Sequence, residues 1–198
     1  MLGSVTNPPL THMKVPLSLP FPDRLRQSFG VASATHLLRK ALREFDDFKR
    51  SGDIQRSGDH AFNLCVSIWH LHDWSFADMS PEERARASEY LCMSIRKKSD
   101  FAAAVQKSCK EVRICRVMAT AGKHVVVDTF PDPTIATAFA SYEHLHDDSE
   151  PLIWRWSLSC GDTHLDAEDM FNTALEFWRK LFEHLGWLES RFISADPE

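Results

Sequence analysis

Near residue 124 the apolar residues of this 198-residue chain stop recurring at three and four residues, and further on, over 152–160, the large ones alternate. The two periods belong to a helix face and to a strand face, so the chain divides into a helical part and a later sheet. Upstream, Leu38, Ala41, Leu42, Phe45 and Phe48 make one helical stripe, and Gly52 stands past its end. A second helix starts from Asp59 as cap and runs to about Trp74, with Phe62, Cys65, Val66 and Trp69 as its stripe. Leu64, Ile68 and Leu71 widen that stripe, which marks the helix as central. "SPEE" at 80–83 is a capping box with proline at the first helical position, and a third helix follows to about Lys97. Ser99 or Asp100 begins a further segment, which "CKEVRICRVMATAG" continues or follows, with a break at Ser108 left open.

Downstream, "VVVDTF", "TIATAFASYEH" and "LIWRWSLSC" are rich in β-branched and aromatic residues and separated by "PDP" and "DDSEP". In the third, Leu152, Trp154, Trp156, Leu158 and Cys160 alternate with polar or smaller residues, the pattern of a half-buried strand packed on a helix. "DAED" at 166–169 caps a last helix with the stripe Phe171, Ala174, Trp178, Leu181 and Leu185, stopped by Gly186. The expected fold is α+β and mainly α: a helical bundle over 31–124, a small antiparallel sheet over 125–165 and a closing helix over 166–188 that packs on it. Residues 1–30 hold five of the ten prolines and read as an extended arm on this single domain.

Composition narrows the function classes. With 23 Lys and Arg against 28 Asp and Glu, the net charge of −5 gives no global footprint for a nucleic-acid duplex. Five cysteines, odd in number and set among apolar residues, read as reduced thiols. No secretory signal or membrane-spanning run is recognisable, so the expected location is the cytoplasm. There is no glycine-rich phosphate loop, nucleophile elbow or paired-cysteine zinc motif, and no cofactor is called for.

Candidate chemistry concentrates in "AFNLCVSIWHLHDW", Ala61 to Trp74. Helical spacing groups Asn63, Ser67 and His70 on one face; Asp73 ends the helix, and His72 falls off the seam. On the helix before the sheet the same spacing groups Arg116, Thr120 and His124, with Lys123 beside them. Facing one another, the two seams would supply imidazole acid and base groups and a guanidinium for an oxyanion. The competing reading makes His70 a hydrogen-bonded interior residue, Asp73 a helix end or ion-pair partner, and Arg116 and Lys123 surface groups. "HLH" at 144–146, with Asp147 and Asp148, is a weaker metal-binding arrangement.

The pairing of "FNLCVSIWHLHDW" with "ICRVMATAGKH" resembles a group of uncharacterised bacterial helical proteins and, more distantly, the HEPN superfamily of helical bundles, many of them ribonucleases in toxin, phage-defence and CRISPR-associated systems. That resemblance covers about residues 33–124 and implies Arg116 and His124 as the catalytic pair, with His70 as a further acid. Seven residues separate Arg116 from His124 and Val117 follows the arginine, whereas the HEPN pattern has four to six and a polar residue. Arg56 and His60, with three between them, are too close. The resemblance therefore implies a cytoplasmic bacterial or prophage module in defence, counter-defence or regulation that binds a protein partner and pairs with a second copy. The alternative is a metal-independent ribonuclease acting on RNA, and a small-molecule sensor is a third reading.

Overall fold

A long helix whose first turn is set by one aspartate organises the molecule. In the computed structural model, which describes residues 31–121, 135–143, 153–160 and 162–188, helix α1 is Ala34–Arg50 and helix α2 is Ile54–Asp78. The Asp53 side chain accepts from the Arg56 backbone N–H at 2.8 Å, so the cap of α2 lies six residues before the expected one, and Asp59 lies within the helix. Gly58 sits in the first turns of α2, where the sequence pattern is too polar to announce a helix. Helix α3 is Pro81–Tyr90, opened by the capping box of Ser80 and Glu83 as its sequence predicts.

Helix α3 is shorter than expected because its stop carries no glycine. Cys92 takes φ of 50°, its N–H donates to the Glu89 carbonyl and the Met93 N–H donates to the Ser88 carbonyl. These are the two closing bonds of a Schellman motif, with a cysteine in the left-handed position. Helices α4, Lys98–Ser108, and α5, Lys110–Ala121, follow. The break between them falls at Cys109, next to the Ser108 position left open in the sequence.

Strands β1 (Ile135–Glu143), β2 (Ile153–Cys160) and β3 (Thr163–Asp166) form an antiparallel sheet in the order β1-β2-β3. Its register pairs Ala140 with Trp156 and Leu158 with Leu165. The first two strands fall within "TIATAFASYEH" and "LIWRWSLSC", the second where alternation places it; β3 is too short and polar to be read as one. Residues 1–30 and the "VVVDTF" segment lie outside the described residues.

Helix α6, Ala167–His184, is capped by Asp166, which accepts from the backbone N–H groups of Glu168 and Asp169. It packs on β2 and β3 as expected, and also on α1, α2, α3 and α5. Its aromatic stripe explains that reach. Phe171 meets Phe48 edge-on at 5.4 Å and Phe45 at 6.5 Å, while Trp178 meets Phe101 of α4 at 6.2 Å. Trp178 and Phe101 are completely buried, each contributing on the order of 2–3 kcal/mol by area removed from water. The fold is thus α+β and mainly helical, with the closing helix shared between bundle and sheet.

Helix α2 is central, packing on α1, α4, α5 and α6. Its core face differs from the expected stripe. Leu64, Cys65, Ile68 and Leu71 are buried as expected, and Ser75 with them, whereas Phe62 is 42% exposed and Val66 and Trp69 are half-buried. The reason lies in its neighbours: four helices divide the circumference among them, and no single sequence stripe describes what they cover.

Candidate functional site

The polar seam of α2 is closed by α1. The Lys40 ammonium donates to the Ser67 hydroxyl at 2.9 Å, and that hydroxyl donates to the Asn63 carbonyl one turn earlier at 2.9 Å. Glu44, one turn beyond Lys40, lies 3.5 Å from its ammonium and receives the Asn63 amide at 3.5 Å. Glu44 Oε1 is also 2.8 Å from His60 Nδ1. His60, Asn63 and Ser67 therefore form one face at helical spacing, and a lysine–glutamate pair on α1 matches it. Two of the residues singled out in the sequence, Asn63 and Ser67, are accounted for by this contact.

The end of α2 holds a second cluster. His72, outside the expected seam, is the buried histidine among the described residues, at 5% exposure. Its Nδ1 is 2.6 Å from the Trp69 carbonyl oxygen, its ring lies over the Trp69 indole at 3.9 Å, and its Nε2 is 3.5 Å from Asp73. Burial lowers the His72 pKa, and the Trp69 carbonyl and Asp73 offset only part of that effect. Asp73 also pairs with Lys98 at 2.7 Å, which ties α2 to the start of α4. Burial works to raise the Asp73 pKa, but Lys98, His72 and His70 together hold it below the usual carboxylate range. His70 is half-buried and acts on Asp73 through its charge.

On α5, Arg116 donates to the Gln106 side-chain oxygen of α4 at 2.6 Å, and Thr120 donates back to the Arg116 carbonyl at 2.8 Å. The contact between α2 and α5 carries Cys65 and Cys115, whose thiols lie within hydrogen-bonding reach. Burial pushes the Cys115 thiol far up, with Cys65 adding to the shift, and pushes Cys109 up to about 11. Cys109 and Cys115 are therefore not nucleophiles at neutral pH. Lys123 and His124 lie outside the described residues, as do His144, His146, Asp147 and Asp148.

Of the candidate residues, the structure joins Asn63 with Ser67 on α2 and Arg116 with Thr120 on α5, with Arg116 also bonded to α4 and Asp73 paired with Lys98. Among the described residues no group of three or more His, Cys, Asp and Glu is placed to hold a metal ion. Nor is any helix among them long and apolar enough to cross a membrane.

An opening absent from the sequence reading lies on the other side of α2. A cleft of about 110 Å³ is lined by Phe62, Cys65, Met118, Leu158, Met170 and Phe171, with Trp156 as one wall. Every one of these side chains is apolar or weakly polar. Trp156 reaches the cleft because Gly58 has no side chain: a Cβ there would stand 3.2 Å from the indole Cζ2. The Trp156 indole N–H is buried and has no hydrogen-bond partner among the described residues. The signal in the sequence was Gly58, one glycine inside a helix opposite a strand tryptophan.

Fold and site together define a helical bundle with an appended sheet and an apolar cleft at their junction. Comparison with protein-family models, curated proteins and solved structures finds no match for this chain.

Proposed function

We propose that this protein is a non-catalytic interaction module of HEPN-like architecture that binds a protein partner. The observation that carries the reading is the open apolar cleft beside Phe62, an exposed aromatic residue at the lip of an otherwise closed core. Apolar pockets that receive a side chain are the usual anchors of protein recognition. The polar residues that suggested catalysis point the same way. Asn63 and Ser67 are tied to α1, Arg116 is tied to Gln106, and the spacing from Arg116 to His124 exceeds the nuclease pattern. A bacterial or prophage setting in defence, counter-defence or regulation, and a cytoplasmic location, belong to this proposal through the resemblance alone.

Two measurements test it. Purified protein incubated with mixed RNA in EDTA leaves the RNA intact; cleavage that His124→Ala abolishes, with folding preserved, overturns the reading in favour of a ribonuclease. A photoreactive amino acid at position 62, in cells of the source, yields one discrete heterologous adduct that the same group at exposed position 90 does not. Equal adduct patterns at the two positions count against it.

A further inference from the structure

Trp156 borders two openings. One is the apolar cleft described above; the other is a larger chamber of about 360 Å³, bounded by the turn between α1 and α2 and by the start of α6. Lys49, Arg50 and Arg155 supply cations to this chamber, Asp166 and Glu168 supply carboxylates, and the buried Ser57 adds a hydroxyl. The carboxylates are not equally available. Asp166 receives two backbone N–H groups of α6 and lies 3.3 Å from Arg155, so its charge is already engaged.

The cations on the opposite wall are differently placed. Lys49 and Arg50 pair with Asp46 and Asp47, each at 3.3 Å, and neither aspartate lines the chamber. With their side chains 38% and 74% exposed, both cations sit in surface pairs worth little, which exchange readily for an incoming carboxylate. With Asp166 and Arg155 set against each other, Lys49 and Arg50 face the one further carboxylate of Glu168, so the lining residues leave the chamber one positive charge in excess, while the cleft that shares Trp156 with it favours an apolar group.

We infer that the two openings form one peptide-docking groove: the cleft takes an aliphatic or aromatic anchor side chain of a partner protein, and the chamber takes an acidic residue beside it. The inference rests on the reading of this protein as a protein-binding module and specifies the partner's chemistry. The size is suitable, because an apolar cavity of about 150 Å³ accommodates benzene, and a 110 Å³ cleft with an open mouth accommodates a side-chain ring or branched alkyl group. The Trp156 N–H, buried and without a hydrogen-bond partner among the described residues, belongs to the one side chain that lines both openings.

The test uses full-length isotope-labelled protein and three acetylated, amidated tripeptides: phenylalanine between two glutamates, phenylalanine between two lysines, and alanine between two glutamates. The first shifts the Trp156 indole signal and the Phe62 and Met118 amides, and binds at least about threefold more tightly than the second, a margin typical of exposed charge pairs. The alanine peptide leaves the Phe62 and Met118 amides in place. In Lys49→Glu/Arg50→Glu, both exposed positions, the preference for glutamate is lost or reversed, while Phe62→Ser weakens both phenylalanine peptides. Equal or tighter binding of the lysine peptide, equal shifts from the alanine peptide, or no shift from any peptide overturns the groove. Failure here with RNA intact and a specific adduct at position 62 leaves the module reading standing; cleavage dependent on His124 overturns that reading whatever the peptides do.

Discussion

Glu44 of α1 and His60 of α2 meet at 2.8 Å, with the Lys40 ammonium 3.5 Å from the other Glu44 oxygen and 2.9 Å from the Ser67 hydroxyl. One carboxylate therefore organises the polar contact between the first two helices, and its side chain is only 17% exposed. Removing it leaves Lys40 and His60 without this acceptor in a half-buried seam. Glu44→Ala is expected to lower the unfolding free energy by about 1–3 kcal/mol, and Glu44→Gln by less, since the amide oxygen still accepts one bond. Urea unfolding followed by circular dichroism measures both; equal losses, or no loss, would show that the seam is not a structural contact.

His72 makes a pH prediction whose sign follows from burial. Its folded-state pKa is lowered, so near and below an unfolded value of about 6.5 the unfolded chain binds a proton that the folded chain refuses. Stability contributed by neutral His72 is complete above that value and is lost as pH falls through the window down to the folded pKa. The wild type is expected to lose stability between pH 7.5 and pH 5.5 more steeply than His72→Gln. Denaturant midpoints of the two proteins at those two pH values, with parallel slopes, would remove His72 as the source.

How far the sequence speaks can be seen in the two helix ends that share one geometry. Gly186, at φ of 76°, closes α6 with the Trp187 N–H donating to the Phe182 carbonyl, and Gly186 was legible as a stop because glycine adopts that conformation freely. Cys92 closes α3 with the same pair of bonds and was invisible, because nothing marks a cysteine for a left-handed turn. The candidate site divides in the same way. Spacing grouped Asn63 with Ser67 correctly, since periodicity is a property of one helix. It could not say that α1 rather than α5 supplies their partners, which is a property of how helices are arranged in space. His72 was set aside for falling off the polar face; packing of α2 on several sides made that same position the most buried of its polar rings.

Gly58 reports whether α2 and the sheet are joined as described. Alanine there gains about 1 kcal/mol of helix propensity but brings a methyl group to 3.2 Å from the Trp156 ring, which must yield by a few tenths of an ångström. The two effects nearly cancel, so Gly58→Ala is expected to be close to neutral in stability while shifting the indole resonance of Trp156. Gly58→Leu cannot be accommodated by so small a movement and is expected to cost about 1–3 kcal/mol, as overpacked sites do. A leucine variant as stable as the wild type would mean that the indole does not rest on this helix.

The five cysteines make a prediction about accessibility that does not depend on function. Cys65, Cys109, Cys115 and Cys160 are buried and Cys92 is exposed on the left-handed turn after α3. Burial has raised the thiol of Cys109 to about 11 and that of Cys115 well above its ordinary value, so neither presents a thiolate at pH 8. Under native conditions a disulfide reagent such as dithionitrobenzoate is expected to consume one thiol quickly, and all five after denaturation. Cys92→Ser is expected to remove the fast phase while leaving the slow phase unchanged, because the slow phase requires the core to open. A fast phase of two thiols would place a second cysteine at the surface, and with Cys65 as that residue the apolar cleft would be wider in solution than its 110 Å³.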